Sequence, residues 1–542
     1  YPGKMIVETN YDYIVVGGGS AGCVLAARLS ENPQINVLLL EAGPADTSPF
    51  IDMPKGFAKI LASNKYMNYF TAIAGKAGKQ AEETWIRGTT LGGSSSVNGM
   101  QYQRGHREDY DYWEQTLGLS GWGWRDMEKV FLALEDHALG EASWRGTGGP
   151  VHISQTTNQS YLMDKLIEAA QELGLPALED PSHPDQLGFA YICAIIKQGR
   201  RWSAARAFLD PARSRSNLTI LTSSPVNRVI FEGVRAIGVE ITSKGRPTRL
   251  LCRQEVILAA GTLATPKILQ LSGVGDKDHL SGLGIPVVFD SPNVGKNLRE
   301  HLIYTCQFHL TEDYSQNKEY SGWRILAHGL RYLLFRSGLL STPPYDITGF
   351  VRAHPDSPKS DCKIVAAPMT MDMAKWEGFH KQIPMERAPG LSIIGYVLKP
   401  ESRGTVRITS TDPGVHPEIV HNALSHPYDR KIAVALARFI RELVSQSPIR
   451  MYIKNETLPG THYQTDDELM EAYTMMSGPG FHAAGTCAMG SEESSVLDEK
   501  LRVRGLTGLR IADLSVFPTL VSGNTHGPVM AVADKAADII LH

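Results

Sequence analysis

Two histidines near the end of the chain sit in glycine-rich turns. His482 lies in Gly478-Pro479-Gly480-Phe481-His482-Ala483-Ala484-Gly485, and His526 in Ser522-Gly523-Asn524-Thr525-His526-Gly527-Pro528. An imidazole ionises near pH 6.5, so a histidine placed beside a ligand can take or give a proton at neutral pH. Near the other end, Gly17-Gly18-Gly19-Ser20-Ala21-Gly22 has the G-x-G-x-x-G spacing. Gly17 permits a tight turn, Gly19 lets a pyrophosphate approach the backbone, and Gly22 lets the next helix pack close to the strand.

The elements that must position these residues are legible around them. Residues 14–16 are a β-branched run, as in a strand buried on both faces. A helix over 21–30 would aim its free N–H groups and positive dipole end at phosphates. Residues 37–40 read as the second strand, and Glu41 follows Gly22 by 19 residues, about where a dinucleotide fold places a carboxylate for a ribose 2′-hydroxyl. A carboxylate there argues against a 2′-phosphate, which leaves FAD or NAD. A second small-residue loop, Gly92-Gly93-Ser94-Ser95-Ser96, is too small and polar to fill a core and suits backbone pressed against a ligand.

Bulk numbers narrow the class. At 542 residues the chain exceeds one ordinary core, so two or more domains are expected. A net charge of −3 favours neither nucleic acid nor an anionic membrane, and no run of 18 apolar residues appears. The six cysteines form no C-x-x-C pair, which argues against a metal site or a disulfide framework and suits a reducing compartment. Tyr1-Pro2-Gly3-Lys4 reads as foreign sequence ahead of a natural Met5 start, and the expected location is cytoplasmic, with secretion open. Three glycosylation sequons, at Asn158, Asn217 and Asn455, are close to the number chance supplies.

Along the chain, residues 44–80 look loop-like and 102–113 helix-like. Helices are expected over 161–172, 202–209, 466–475 and 529–541. Residues 218–221, 226–231 and 236–241 alternate like antiparallel strands, and 255–261 is a buried strand entering a glycine. The helix after it has Pro266 near its start and Gly273 past its end. Residues 302–460 change character, with methionines and aromatics accumulating, and read as the main part of a second domain with an apolar cavity.

Together these motifs resemble the glucose–methanol–choline family of flavin oxidoreductases. The match covers the fingerprint at 17–22, a first signature at 87–98, a second at 261–275, Val294-Gly295-Lys296-Asn297-Leu298, and the C-terminal pattern around His482, Asp513 and Asn524-Thr525-His526. The resemblance implies FAD and an α/β chain. A discontinuous Rossmann-type FAD-binding domain would span 1–155, 212–301 and 461–542. An inserted α+β substrate-binding domain on an antiparallel sheet would span 156–211 and 302–460. Some members attach FAD through a histidine where this chain has Val97, so non-covalent FAD is expected.

The resemblance also implies roles. His482 would take the alcohol's hydroxyl proton while the flavin accepts hydride, and His526 would hold the substrate oxygen. The sequence leaves open which imidazole removes the proton, and Phe481 would line the pocket beside them. Cofactor contacts are expected from Gly17, Gly19, Ser20, Ala21, Gly22, Glu41 and Ala42, and from Leu91, Gly92, Ser95, Asn98 and Gly99. Val226, Ala260, Gly261, Leu514, Thr525, His526 and Pro528 complete the set with Asp513, which alternatively caps a turn. The helix opening at Pro528 would steady negative charge on the reduced flavin. His106, His301 and His309 lack such context and read as structural.

The expected activity is oxidation of an apolar or aromatic primary alcohol to an aldehyde or ketone. O2 or a quinone-type acceptor would reoxidise the flavin, and the protein would be a monomer or homodimer. Trp323, Tyr345 and Trp376 keep a cation cage for a choline-like alcohol open. The competing readings are a cyanohydrin-type lyase, a photodecarboxylase or an inactive FAD-stabilised protein. The paired histidines speak against the last two, and a lyase would leave the flavin yellow under alcohol.

Overall fold

A computed structural model describes residues 5–76, 81–184, 187–243 and 245–542, so Tyr1–Lys4 and their reading lie outside it. β1 (Met5–Val16), α1 (Ser20–Leu29) and β2 (Val37–Leu40) form the βαβ start. β2 is buried at every position, as an unbroken Val/Leu run requires when helices cover both faces of a sheet. The first sheet runs Leu218–Leu221, β2, β1, β3 (Arg246–Leu258), Arg235–Ser243, Val226–Glu232, with Leu509–Ile511 paired to the end of β3. Leu218–Leu221 departs from the expected antiparallel pairing: it lies parallel to β2, with Leu218 opposite Val37. A four-residue apolar run carries no directional signal, and the long connection decides direction.

α2 (Gly261–Leu271) follows β3, and Pro266 lies inside it, not near its start. A mid-helix proline removes the bond to the carbonyl four residues back. That carbonyl, Thr262 O, accepts instead from Thr486 Oγ1 at 2.7 Å. The loop-like stretch 44–80 also holds more structure than expected, since Met67–Ile73 pairs antiparallel with Glu82–Gly88. The helix expected over 102–113 begins later, at Arg107–Gln115. Between Ala205 and Leu209 the turn is the wide π form.

The second sheet is antiparallel and runs Ile453–Leu458, β4 (Leu302–Leu310), Gly390–Val397, Cys362–Ala367, Ile347–Val351, Gly188–Tyr191. The helix Pro427–Ser445 covers it with Ile432, Leu436, Ile440 and Leu443. α3 (Gly322–Phe335) lies on the outside of this domain. The last helix, α4 (His526–Leu541), returns to the first core and ties to α1, Arg28 pairing with Asp534 and Asp538. α4 starts two residues before Pro528, which therefore sits in its first turn.

Two stretches pack across the expected domain boundaries. Ala204, Ala205, Phe208 and Leu209 belong to the first core, and Leu469 and Tyr473 to the second. Asn217, one of the sequons, is buried and its amide donates to Ser30 O, Asn32 O and Ile35 O, so it serves as a loop clasp.

Candidate active site

One cavity of about 1400 Å³ runs from the glycine loop to the two histidines. Ordinary ligand pockets hold about 300–1,000 Å³, so this one has room for a dinucleotide and a second molecule. Its lining includes Gly17, Gly19, Ser20, Ala21, Glu41, Ala42, Ser95, Asn98, Gly99, Val226, Ala260, Gly261, Asp513, Leu514, Thr525 and His526 from the expected cofactor set. Gly22, Leu91, Gly92 and Pro528 stand behind the wall instead. Their part is to bring backbone together: Gly92 N donates to Gly18 O at 2.8 Å, which joins the two small-residue loops. A Cβ on Gly93 would lie 2.7 Å from Gly19 Cα, closer than real side chains come, so the loops meet because Gly93 lacks one.

The phosphate end fits a dinucleotide. No side chain caps α1, and Gly19, Ser20 and Ala21 open onto the cavity, so the first-turn N–H groups are left for an anion. Glu41 differs somewhat from expectation. Its Oε2 accepts from Gly18 N and its Oε1 from Gly43 N, each at 2.8 Å, so it also fastens the glycine turn. Burial pushes its carboxyl up to about 7, against the pull of those two N–H groups. Asp513 caps a turn through Ser515 N at 2.7 Å, and it also accepts from Gly261 N at 2.8 Å and Thr265 Oγ1 at 2.6 Å. The side chain thus caps a turn and anchors the start of α2 while also lining the cavity.

Ser95 turns its hydroxyl into the protein, donating to Gly92 O at 2.6 Å and accepting from Ala204 N at 3.0 Å. What holds this loop is Arg201, which sequence reasoning missed. It is 1% exposed and donates to Ile51 O, Ser95 O, Asn98 O and Asn98 Oδ1 at 2.7–3.1 Å. Burial lowers its guanidinium to about 9. No local pattern marks Arg201, because its partners lie more than 100 residues away. Val97 packs with Met67, Ile86 and Phe481 and offers no nucleophile to a flavin.

At the other end His482 is 8% exposed and held on three sides. Its backbone N donates to Glu300 Oε1 at 2.7 Å, its Nδ1 lies 3.0 Å from His301 Nδ1, and its Nε2 lies 2.9 Å from Asn524 Nδ2. His301 Nε2 lies 2.8 Å from Leu398 O, a group that only accepts, so Nε2 carries the proton and Nδ1 accepts. His482 then donates from Nδ1 and is left with a lone pair on Nε2.

Lys363 fixes the far end of this chain. It is 1% exposed and donates to Gln101 Oε1, Gln103 Oε1 and Asn524 Oδ1. With its oxygen on the ammonium, the Asn524 amide must present N–H to His482 Nε2. Burial, then His301, Lys363 and Arg87, push the His482 imidazolium well below its usual range, so the ring is neutral at rest. His301 therefore departs from the reading that left it aside: it is structural in packing but bonds directly to His482. Phe481, just before it, has φ +61°, a left-handed conformation that costs a non-glycine residue energy and that turns the adjacent ring into the cavity wall.

His526 is the opposite case. Both its ring nitrogens are buried without a hydrogen-bond partner, and burial with the nearby Arg201 charge lowers it to about 3. Unpaired buried nitrogens are costly, and a bound molecule that bonds to them recovers that cost.

The same cavity that holds both rings has an apolar part lined by Met369, Met371, Met373, Met385, Trp376 and Phe379. Trp376, Phe379 and Phe481 meet edge to face, with centroids 5.0 Å and 5.3 Å apart, in a row leading to His482. Trp323 is not part of it. It is 74% exposed on the outer side of α3, so a cage of Trp323, Tyr345 and Trp376 does not form.

The sequence models of the GMC oxidoreductase family match residues 11–303 and 400–533. The chain is 37% identical to human mitochondrial choline dehydrogenase, over 98% of this chain and 89% of that one. It is 36% identical to an oxygen-dependent choline dehydrogenase of Sinorhizobium fredii, over 98% of this chain and 95% of that one. Among solved structures, pyridoxine 4-oxidase from Mesorbium loti superposes with a TM-score of 0.87 at 31% identity, covering 98% of this chain and 99% of that one.

Proposed function

The chain belongs to the GMC oxidoreductases, FAD-dependent enzymes that oxidise alcohols, and from the site we propose that it acts on a neutral apolar or aromatic primary alcohol, with His482 as base and His526 as the group that holds the substrate oxygen. The observation that carries this reading is the meeting of those two rings with an apolar chamber in the same cavity as the glycine loop. FAD, when bound, supplies the hydride acceptor. Residues 17–21 would hold its diphosphate, and residues 95–99 and 525–526 would border its ring. With valine at position 97, FAD is held without a covalent bond.

Electrostatics divide the labour between the two histidines. A proton arriving on His482 Nε2 creates an imidazolium whose Nδ1–H already points at His301, with the Glu300 carboxyl beneath its backbone N–H. The same charge on His526 would meet no partner and the Arg201 charge. His482 is thus the better base, and a neutral His526 is the better donor to a developing alkoxide. In this reading the substrate hydroxyl takes over the lone pair that Asn524 Nδ2 engages at rest.

The chamber's chemistry supports a neutral substrate. Among the described residues that line it from 302–460, Lys363 is the only Lys, Arg, Asp or Glu side chain, and burial already holds its ammonium well below the usual lysine range. A quaternary ammonium such as choline would face a lysine with no counter-charge, although several relatives are named for choline. The reading is tested by mixing the oxidised holoenzyme anaerobically with aryl and long-chain alcohols and with choline. Bleaching by the apolar alcohols at lower concentration than by choline is expected. Faster bleaching by choline would overturn the substrate class, and a flavin that stays yellow with every alcohol would favour a lyase. Peroxide formed on admitting O2 would identify oxygen as acceptor.

Lys363 gives a second test. In Lys363→Met the Asn524 amide loses the donor that sets its orientation, so flavin reduction should slow roughly 10–100-fold with FAD retained. The acid limb of the rate profile should also move to higher pH, because removing a neighbouring positive charge eases protonation of His482. An unmoved limb would show that Lys363 only packs.

A further inference from the structure

α3 carries an apolar stripe that the fold leaves bare. Trp323, Leu326, Leu330, Leu333 and Leu334 fall within about 100° of the helix circumference. Together with Phe335 they are 59–74% exposed. These six are among sixteen large apolar residues exposed in the described chain, and most of the others stand singly. Tyr332, on the opposite side, is fully buried and donates to Asp52 O at 3.3 Å, so the helix is anchored by that face and the stripe looks outward. Arg324 and Arg331 flank the stripe on one side and Arg336 closes the helix. The acidic partner among them is Glu319, bonded to Arg324 and His328. Net charge over the whole chain conceals this local excess of positive charge.

We propose that α3 is an interfacial helix that docks the enzyme on a lipid surface containing anionic headgroups. An apolar stripe with a tryptophan near one end and arginines at its edge matches the boundary between acyl chains and phosphates. A second copy of the chain fits less well. With Glu319 the acidic partner of Arg324, a second copy would bring as much positive charge to the contact as it met, whereas lipid phosphates supply the opposite sign. Ile325 and Gly329, one step around the same helix, line the cavity, so docking sets its rim at headgroup level. On the apolar-alcohol reading above, a substrate dissolved in the bilayer then enters without crossing bulk water.

Docking is tested without turnover, which separates its failure from that of the substrate reading. Holoenzyme is sedimented with vesicles of phosphatidylcholine and phosphatidylglycerol at 3:1 and with vesicles of phosphatidylcholine alone. We expect binding to the mixed vesicles that is weakened by salt. It should fall at least tenfold in Leu326→Glu/Leu330→Glu, with FAD content and oxidation of a soluble alcohol unchanged. Arg324→Gln/Arg331→Gln should lose only the preference for anionic lipid. Wild-type protein left in the supernatant, or equal sedimentation of the Glu variant, overturns the proposal. So does a wild-type dimer in light scattering that the Glu variant converts to monomer, which would assign the stripe to a second copy.

Discussion

His482→Ala should slow anaerobic flavin reduction by roughly two to four orders of magnitude, the loss typical of removing a general base. This corresponds to about 3–5.5 kcal/mol of barrier. FAD should stay bound, because the groups that grip its diphosphate lie at the other end of the cavity. The variant leaves His301 Nδ1 without its donor, so thermal stability is measured alongside, and stopped-flow absorbance of the holoenzyme gives the rate. A reduction rate unchanged from wild type would sink the assignment of His482 as base. The pH dependence is a companion result. His482 must be neutral to act, and burial holds its imidazolium well below the ordinary range. The profile of kcat/KM should therefore stay level as pH falls from 8 through 6.5 and drop only below that. Glu300, raised to about 7 by burial, titrates inside this window. A break near 7 that vanishes in Glu300→Gln belongs to that carboxyl, whereas an acid limb at 6.5 in that variant would contradict the lowered imidazole.

Gly22→Ala should produce a protein that binds FAD at least roughly 100-fold more weakly, about 2.8 kcal/mol. A Cβ at Gly22 would sit 1.8 Å from Gly17 O, a backbone atom that cannot swing aside as a side-chain tip does. α1 would have to lift away from β1, yet residues Ala21–Ala27 are buried among the first core's side chains and resist displacement. Overpacking a core costs about 1–3 kcal/mol where the neighbours can move, and here both neighbours are main chain. The test is FAD affinity by fluorescence quenching, with circular dichroism to count folded molecules. Normal affinity in a normally folded variant would show that this close approach is not needed. The same substitution at Gly282, where nothing lies within 4 Å, is the control.

These two positions show how differently parts of the site were legible. Gly22 could be read directly, because a turn that excludes side chains leaves its mark in consecutive residues. The buried strands β1 and β2 and the capped helix Asp466–Met476 were legible for the same reason. The direction of Leu218–Leu221 was not, because four apolar residues look alike in either orientation. Pro266 misled, because the group that compensates for it, Thr486, lies 220 residues further on.

The sequence by itself determined the glycine loops, the likeness to the flavin oxidoreductases and the two glycine-flanked imidazoles, since each is written in contiguous residues whose types a local backbone shape demands. Only the tertiary structure decided which groups surround each imidazole. His301 meets His482 across 181 residues, Lys363 meets Asn524 across 161, and Arg201 reaches back 103 to Asn98. Such contacts leave no periodicity in the chain, because folding brings together side chains that the order of residues keeps far apart. The electrostatics of a buried ring depend on those neighbours and on the water they exclude.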